Sequence, residues 1–271
     1  MKVLEYILGG NSFPIVVEEN SQKHLVKLKT GMSGSNSLVN EWLGNLIGKK
    51  IGLVTRTPKW INLTCNLEYD HIYIEVRELI EKSMGINICF DYIESVEELS
   101  SIELKALDKK KFINVYLLDV LLLNIDRTES NLNLMKDKDG KIIISDFESS
   151  LFLNELINGR KTSKDVRILQ CLKANPFYQK VENDVLTSFI KKVDSINFDT
   201  LLYDLPDEVL SKIAKENLKR EFDKRKIQEW NLKELLMRID DTILETEEAK
   251  KLRTRQNRDK LKILVSSIHN S

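Results

Sequence analysis

Leu123-Asn124-Ile125-Asp126-Arg127-Thr128-Glu129-Ser130-Asn131, read with Ile144-Ser145-Asp146-Phe147 further on, is the stretch that decides this chain. It supplies an acid, an amide five residues later, and a second acid after a short connection. The connection has its own signature. Asn131–Met135 and Lys141–Ser145 read as strands, and the Asp139-Gly140 pair between them is a strong tight-turn signal. A hairpin returns its two ends to one place, so Asn131 and Asp146 are expected near each other. Both carry oxygen atoms, the donors that suit Mg²⁺. Asp126, a short loop upstream, can orient or deprotonate a hydroxyl. Such parts suit phosphoryl transfer from a metal-bound nucleotide, where positioning and charge neutralisation do most of the work. Asp126 and Glu129 also have capping-box spacing, but the residues after them are β-like and not helical. A calcium loop at Asp137-Lys138-Asp139-Gly140 is excluded, since the glycine comes too early and the later oxygen ligands are missing.

Working outward, the N-terminal part reads as β structure. Val3–Leu8 leads into a Gly9-Gly10-Asn11-Ser12 turn. Ile15–Val17 and Leu25–Leu28 flank a second turn, Glu18–Ser21, as a hairpin. Lys27 lies between Val26 and Leu28 and points opposite to them. If that strand covers a nucleotide cleft, the ammonium faces the phosphates, and Glu41 on the following helix can brace it. Lys29 on the same face is a rival. Two loops could cradle phosphate through backbone N–H groups: Gly9-Gly10-Asn11-Ser12, and Gly31-Met32-Ser33-Gly34-Ser35 ahead of a helix. Neither is a Walker or GxGxxG motif, and each alone reads equally as a simple turn.

The helix after Ser37, capped by Asn36 or Ser37, carries Leu38, Trp42 and Leu46 on one face and ends near Gly48. Strands are expected near Ile51–Thr55 and Ile86–Tyr92, with a helix over Ile74–Met84 that stops at Gly85. Glu103–Leu123 reads as one long helix, buried in its second half. Helices dominate after Thr162, with stripes through Val209/Leu210, Ile213/Ala214, Leu218 and Phe222, and through Leu235/Leu236, Ile239 and Ile243/Leu244. β structure is thus early and helix late. The pattern predicts an α+β fold of two lobes, residues 1–92 and 93–271, meeting near Phe90–Glu94.

Composition narrows the function classes. The 271 residues suffice for a large core, and the 42 acidic and 42 basic residues balance, so bulk attraction to nucleic acid or an anionic membrane is not indicated. No stretch is long and apolar enough to span a bilayer; the richest, Val115–Ile125, is interrupted by Asp119 and Asn124. No signal peptide is expected. Cys65, Cys89 and Cys171 suggest free thiols in a reducing, cytoplasmic setting. His24, His71 and His269 lack metal-ligand spacing. The basic run Lys250–Lys262 comes after Glu245, Glu247 and Glu248, the charge order a solvated helix favours, although it could instead meet nucleic acid or an acidic partner. Trp60 and Trp230 are expected to pack in a core or interface.

Leu25-Val26-Lys27-Leu28, Leu38-Val39-Asn40-Glu41, Leu123–Arg127 with Asn131-Leu132, and Ile144-Ser145-Asp146-Phe147 together resemble the HipA-like kinases, most closely their short single-chain branch. The blocks span roughly residues 9–153, in the family's order. The resemblance implies a bilobal, protein-kinase-like fold that binds ATP and Mg²⁺. It implies Lys27 on the phosphates with Glu41 as partner, Asp126 as catalytic base, and Asn131 and Asp146 as metal ligands. Gly9, Gly10, Asn11 and Ser12 would form the nucleotide-covering loop. Phe90–Glu94, including Tyr92, would meet adenine through its backbone. It further implies serine/threonine phosphorylation of protein targets, toxin-like arrest of translation in some members, an antitoxin-like regulator, and autophosphorylation, with Ser12, Ser33 and Ser35 as suspects. Two departures stand out. Thr128 replaces the family's usual His, and Phe147-Glu148 comes after Asp146 with no glycine, so an inactive, swung-out state is harder to reach. Small-molecule kinases share the same acid–amide–acid order, and a pseudokinase docking a partner through its helical part is the non-catalytic alternative.

Overall fold

The computed structural model describes residues 1–7, 14–31, 35–69, 72–158 and 162–244. The loop Gly9–Ser12, Ser33 and the basic run Lys250–Lys262 lie outside the described residues. The fold is α+β, a small antiparallel sheet followed by a mainly helical part, as the sequence predicts. In chain order the sheet region comprises β1 (Lys2–Tyr6), β2 (Ile15–Glu19), β3 (Gln22–Lys27), α1 (Ser35–Lys50), β4 (Pro58–Leu63), α2 (Ile74–Lys82) and β5 (Gly85–Asp91). Next come β6 (Glu97–Glu98), α3 (Ser101–Ala106), a 3₁₀ turn (Lys109–Phe112), α4 (Ile113–Leu122), β7 (Leu134–Lys136) and β8 (Ile142–Ile144). The helices α5 (Phe152–Asn158), α6 (Val166–Lys173), α7 (Asn183–Asp194), α8 (Phe198–Tyr203), α9 (Lys212–Ile227) and α10 (Leu232–Asp241) complete the described chain.

Among the described residues, five strands form a sheet in the order β1-β2-β3-β5-β4. The β2–β3 hairpin turns at Asn20 and Ser21, both with positive φ, the conformation that matches the twist of tight hairpins. Strand alternation then sorts the side chains. Ile15, Val17, Val26 and Leu28 pack with Val76 and Ile80 of α2 in one cluster. Lys27 projects to the other face, opposite Ile88 of β5. That second face is closed by α1, which belongs to the main core: Leu38, Val39, Trp42, Leu43 and Ile47 pack with Ile88, Phe90 and the helical region. Trp42 donates its indole N–H to the Leu201 carbonyl (2.8 Å) and stacks on Trp60.

At the centre of the helical part, Val115 through Leu122 of α4 are all buried. α4 ends at Leu123 in the left-handed region (φ 52°). That strain costs about 1–2 kcal/mol. Burying a single large apolar side chain returns about 1.5–3 kcal/mol, so the packing of α4 easily sustains it.

Several expectations are corrected. Ile51–Thr55 is not a strand. Gly52 (φ +93°) terminates α1, and the exit loop meets β8 through an isolated Thr55–Ile144 bridge, with the Ile144 N–H on the Val54 carbonyl (2.8 Å); the strand begins at Pro58, on the sheet edge where proline is tolerated. The expected helix Glu103–Leu123 is three pieces. Ser100 caps α3 through a capping box with Glu103, and Asp108 accepts from the Lys110 N–H to start a new turn, so each polar side chain nucleates its own segment. Asn36 and Ser37 lie inside α1 and not ahead of it. Val209 and Leu210 precede α9, whose cap is Ser211. Ile213, Ile243 and Leu244 are exposed, so the two helical stripes are shorter than their periodicity suggests.

Gly44 of α1 lies directly against Phe147: an added Cβ would fall 2.3 Å from the ring's Cγ. Gly44→Ala is therefore expected to overpack this contact and cost about 1–3 kcal/mol. Thermal unfolding should show a Tm drop of several degrees, about 2–4 °C per kcal/mol at this chain size.

Candidate active site

Lys27 is buried at 8% exposure, and its ammonium sits among three carboxylates. Asp146 Oδ1 is 3.0 Å away, Glu41 Oε2 3.2 Å and Glu148 Oε2 3.4 Å. Burial by itself pulls the Lys27 pKa down. Glu41, Asp146 and Glu148 outweigh it and hold the group above the usual lysine range. The rival Lys29 turns elsewhere and donates to the Met84 carbonyl.

Glu41 is 1% exposed and fully engaged. Its Oε2 accepts from Lys27 and from the Phe147 backbone N–H (2.7 Å), and Oε1 accepts from Asn45 Nδ2 (3.0 Å). Asn40, the preceding residue, donates to the carbonyls of Glu148 (3.0 Å) and Ser150 (2.6 Å). One turn of α1 therefore clamps the backbone from Phe147 to Ser150. Asp146 itself has φ 63°, the left-handed region in which Asp is among the few non-glycine residues tolerated. Glu148 is pushed up to about 7, first by burial and then by the charges of Asp146 and Glu41, against the pull of Lys27.

Asp126 and Asn131 form a second pair. Asn131 Nδ2 donates to Asp126 Oδ2 (3.0 Å) and to the Asp126 carbonyl (3.2 Å). The loop between them closes by a Thr128–Asn131 bridge. Asn131 precedes β7 and does not belong to it, so the hairpin is narrower than its sequence suggests.

Arg127 joins the two pairs. Its side chain is fully buried and donates through Nε to Asp119 Oδ2 (2.7 Å). Nη1 donates to the carbonyls of Leu132 (2.6 Å) and Asn133 (2.9 Å), and Nη2 reaches Ser145 (3.5 Å). Asp119 also accepts from Asn124 (3.0 Å) and Asn175 (2.9 Å). The guanidinium thus fixes the segment after Asn131 against the residue before Asp146. Ser145 N–H adds a bond to the Asn133 carbonyl (3.0 Å).

Of the other expected residues, Phe90 is buried in β5, under the guanidinium of Arg56, and Tyr92 gives its backbone N–H to the Lys23 carbonyl (3.0 Å). That donor is already spent inside the sheet. Gly9, Gly10, Asn11 and Ser12 are outside the described residues. Sequence reasoning missed Glu148, Asp119, Arg127, Asn175 and Gly44 as parts of this neighbourhood. Asp119 gave a signal, being a charge inside an apolar run, where burial demands a partner. Among the described residues no group of three or more His, Cys, Asp or Glu side chains has the geometry to hold a metal. Nor is any described helix long and apolar enough to cross a membrane.

The sheet, the braced lysine and the acid–amide loop define a kinase-like protein. The profile of the HipA-like kinases matches residues 1–241, and the chain belongs to that family. Its fold is similar to the crystal structure of a Helicobacter pylori proinflammatory kinase, CtkA, with a TM-score of 0.50 and 16% sequence identity. That alignment covers 89% of this chain and 96% of the other. No curated protein matches the sequence.

Asp119→Ala would leave the Arg127 guanidinium buried without its counter-ion. A loss of about 3–5 kcal/mol is expected. Urea denaturation should show it as a large fall in midpoint. Glu78→Ala, which breaks the exposed Lys82–Glu78 pair, should barely move that midpoint.

Proposed function

We propose that the chain is an ATP- and Mg²⁺-dependent kinase that phosphorylates a serine or threonine hydroxyl of a protein. The observation that carries this is the ammonium of Lys27, buried on the inner face of the sheet and shared by Glu41 and Asp146. Residues 1–92 are the lobe that covers the nucleotide, and residues 93–271 carry the catalytic loop and the metal site.

The residues fit Mg²⁺ by donor chemistry. Asn131 spends its N–H on Asp126, which leaves the amide oxygen as a ligand. Asp146 has one oxygen on Lys27, and the other remains for an ion. Hard oxygen donors of this kind suit Mg²⁺, which when bound offsets phosphate charge. Lys27 contacts the phosphates and stabilises the charge that builds on them. Glu41 keeps that ammonium in place. Asp126, oriented by Asn131, accepts the proton of the acceptor hydroxyl and aligns its oxygen for in-line transfer. A protein acceptor, a toxin-like role in the cytoplasm and restraint by an antitoxin-like partner are the readings the family resemblance supports, since its better-known members phosphorylate protein serine or threonine and some act as toxins.

Asp126→Ala is expected to leave Mg-ATP binding nearly intact and lower transfer by about 10²–10⁴-fold, the usual contribution of a general base. Asp146→Ala should weaken Mg-ATP binding as well. Calorimetry paired with labelled-phosphate transfer separates the two effects, and full transfer in either variant contradicts the assigned roles. Intact mass after incubation with Mg-ATP reports autophosphorylation. Comparing lysate proteins with a metabolite panel as acceptors decides between a protein and a small-molecule substrate.

A further inference from the structure

Lys27 faces more carboxylates than a phosphate-binding lysine needs. Glu41 braces it and is itself locked by the Phe147 N–H and Asn45. Asp146 is partly exposed. Glu148 is the extra group: its side chain is 14% exposed and its Oε2 lies 3.4 Å from Nζ. Among the described residues, Lys27 is the only hydrogen-bond partner of the Glu148 carboxylate. Its backbone, by contrast, is pinned, because Asn40 holds the Glu148 carbonyl at 3.0 Å. The carboxylate can therefore leave Lys27 by side-chain rotation alone.

The charge arithmetic gives this contact a consequence. One ammonium faces three carboxyl groups, and Glu41 and Asp146 alone already outnumber it, so its immediate surroundings are net negative before any ligand enters, whatever the protonation of Glu148. A metal-free nucleotide, itself strongly anionic, would have to displace Glu148 from Lys27 while adding negative charge. A nucleotide that arrives with a divalent cation brings the charge that compensates Asp146 and the released Glu148. A glycine at this position would offer no such competitor.

Resting on the proposed kinase activity, we propose that Glu148 is a specificity residue that occupies Lys27 in the free protein, excludes metal-free nucleotide, and yields to the metal-loaded form. A competitor that leaves the binding-competent state populated about one-tenth of the time lowers apparent affinity about tenfold.

The test is calorimetric binding of a non-hydrolysable ATP analogue, once in EDTA and once in excess Mg²⁺. Native protein is compared with Glu148→Gln and Glu148→Ala, and each variant is first checked for an intact thermal transition. Both variants are expected to gain about tenfold or more in the EDTA arm. The Mg²⁺ arm should change much less, so the preference for the metal-loaded form shrinks. Unchanged or weaker binding in EDTA overturns the proposal. So does a loss confined to the Mg²⁺ arm, which would make Glu148 a metal ligand and not a competitor. Failure of the native protein to bind in Mg²⁺ instead overturns the nucleotide reading itself, so the two failures are distinct. The paired variants guard against one that does not fold.

Discussion

The buried ion pair between Lys27 and Glu41 is the constraint on which the rest depends. It joins β3 to α1 at 3.2 Å, and both side chains are largely buried. Removing one partner of such a pair costs about 3–5 kcal/mol, because the other charge stays buried. Glu41 does more than neutralise Lys27. The oxygen that meets the ammonium also accepts from the Phe147 N–H, so the strand, the helix and the segment that begins at Asp146 meet at one carboxylate. Moving any one of the three means giving up a bond to a carboxylate that is almost entirely buried.

A second hub, Arg127, does for the helical part what Glu41 does for the sheet. Asp119, buried in α4, compensates its charge, and three carbonyls use its remaining donors. A planar guanidinium can do this where a lysine could not, because its donors are fixed in one fork. The hubs meet at Phe147. Its ring lies 6.0 Å from the Arg127 guanidinium on one side and against Gly44 of α1 on the other. Asp146 stands at this junction, and its strained backbone is held from both directions.

Much of this arrangement was legible in the sequence, and the reasons differ by residue. Lys27 was readable because strand alternation is strict, so a lysine between two core residues has one direction to point. The hairpin was readable because Asp139-Gly140 is local turn chemistry, and Gly140 does adopt positive φ. The family blocks were readable because four of them keep their order. The helix breaks at Leu107 and Asp108 were not, since periodicity continues across them while the caps decide. The Arg127 network was not, since its partners at Asp119, Ser145 and Asn175 are separated in the chain and a charge inside an apolar run announces only that some partner exists. In the sequence Glu148 reads only as the absence of a glycine after Phe147, not as a group with a destination. That destination depends on the register of β3 against Asp146, which only the folded chain supplies.

These two hubs also locate the freedom of the site. Phe147 is fully buried, its N–H is held by Glu41, and Asn40 fixes the carbonyls of Glu148 and Ser150. The backbone after Asp146 has no glycine to turn on, so a swing of this segment would break several buried bonds at once. α1 is no freer. Trp42 ties it to Leu201 and stacks on Trp60, so rotating the helix to release Glu41 would expose an indole from the main core. What these bonds leave unpinned is the Glu148 carboxylate, which among the described residues is held only by Lys27. Control of this site therefore falls to which anion the lysine holds, and not to whether the lysine is assembled.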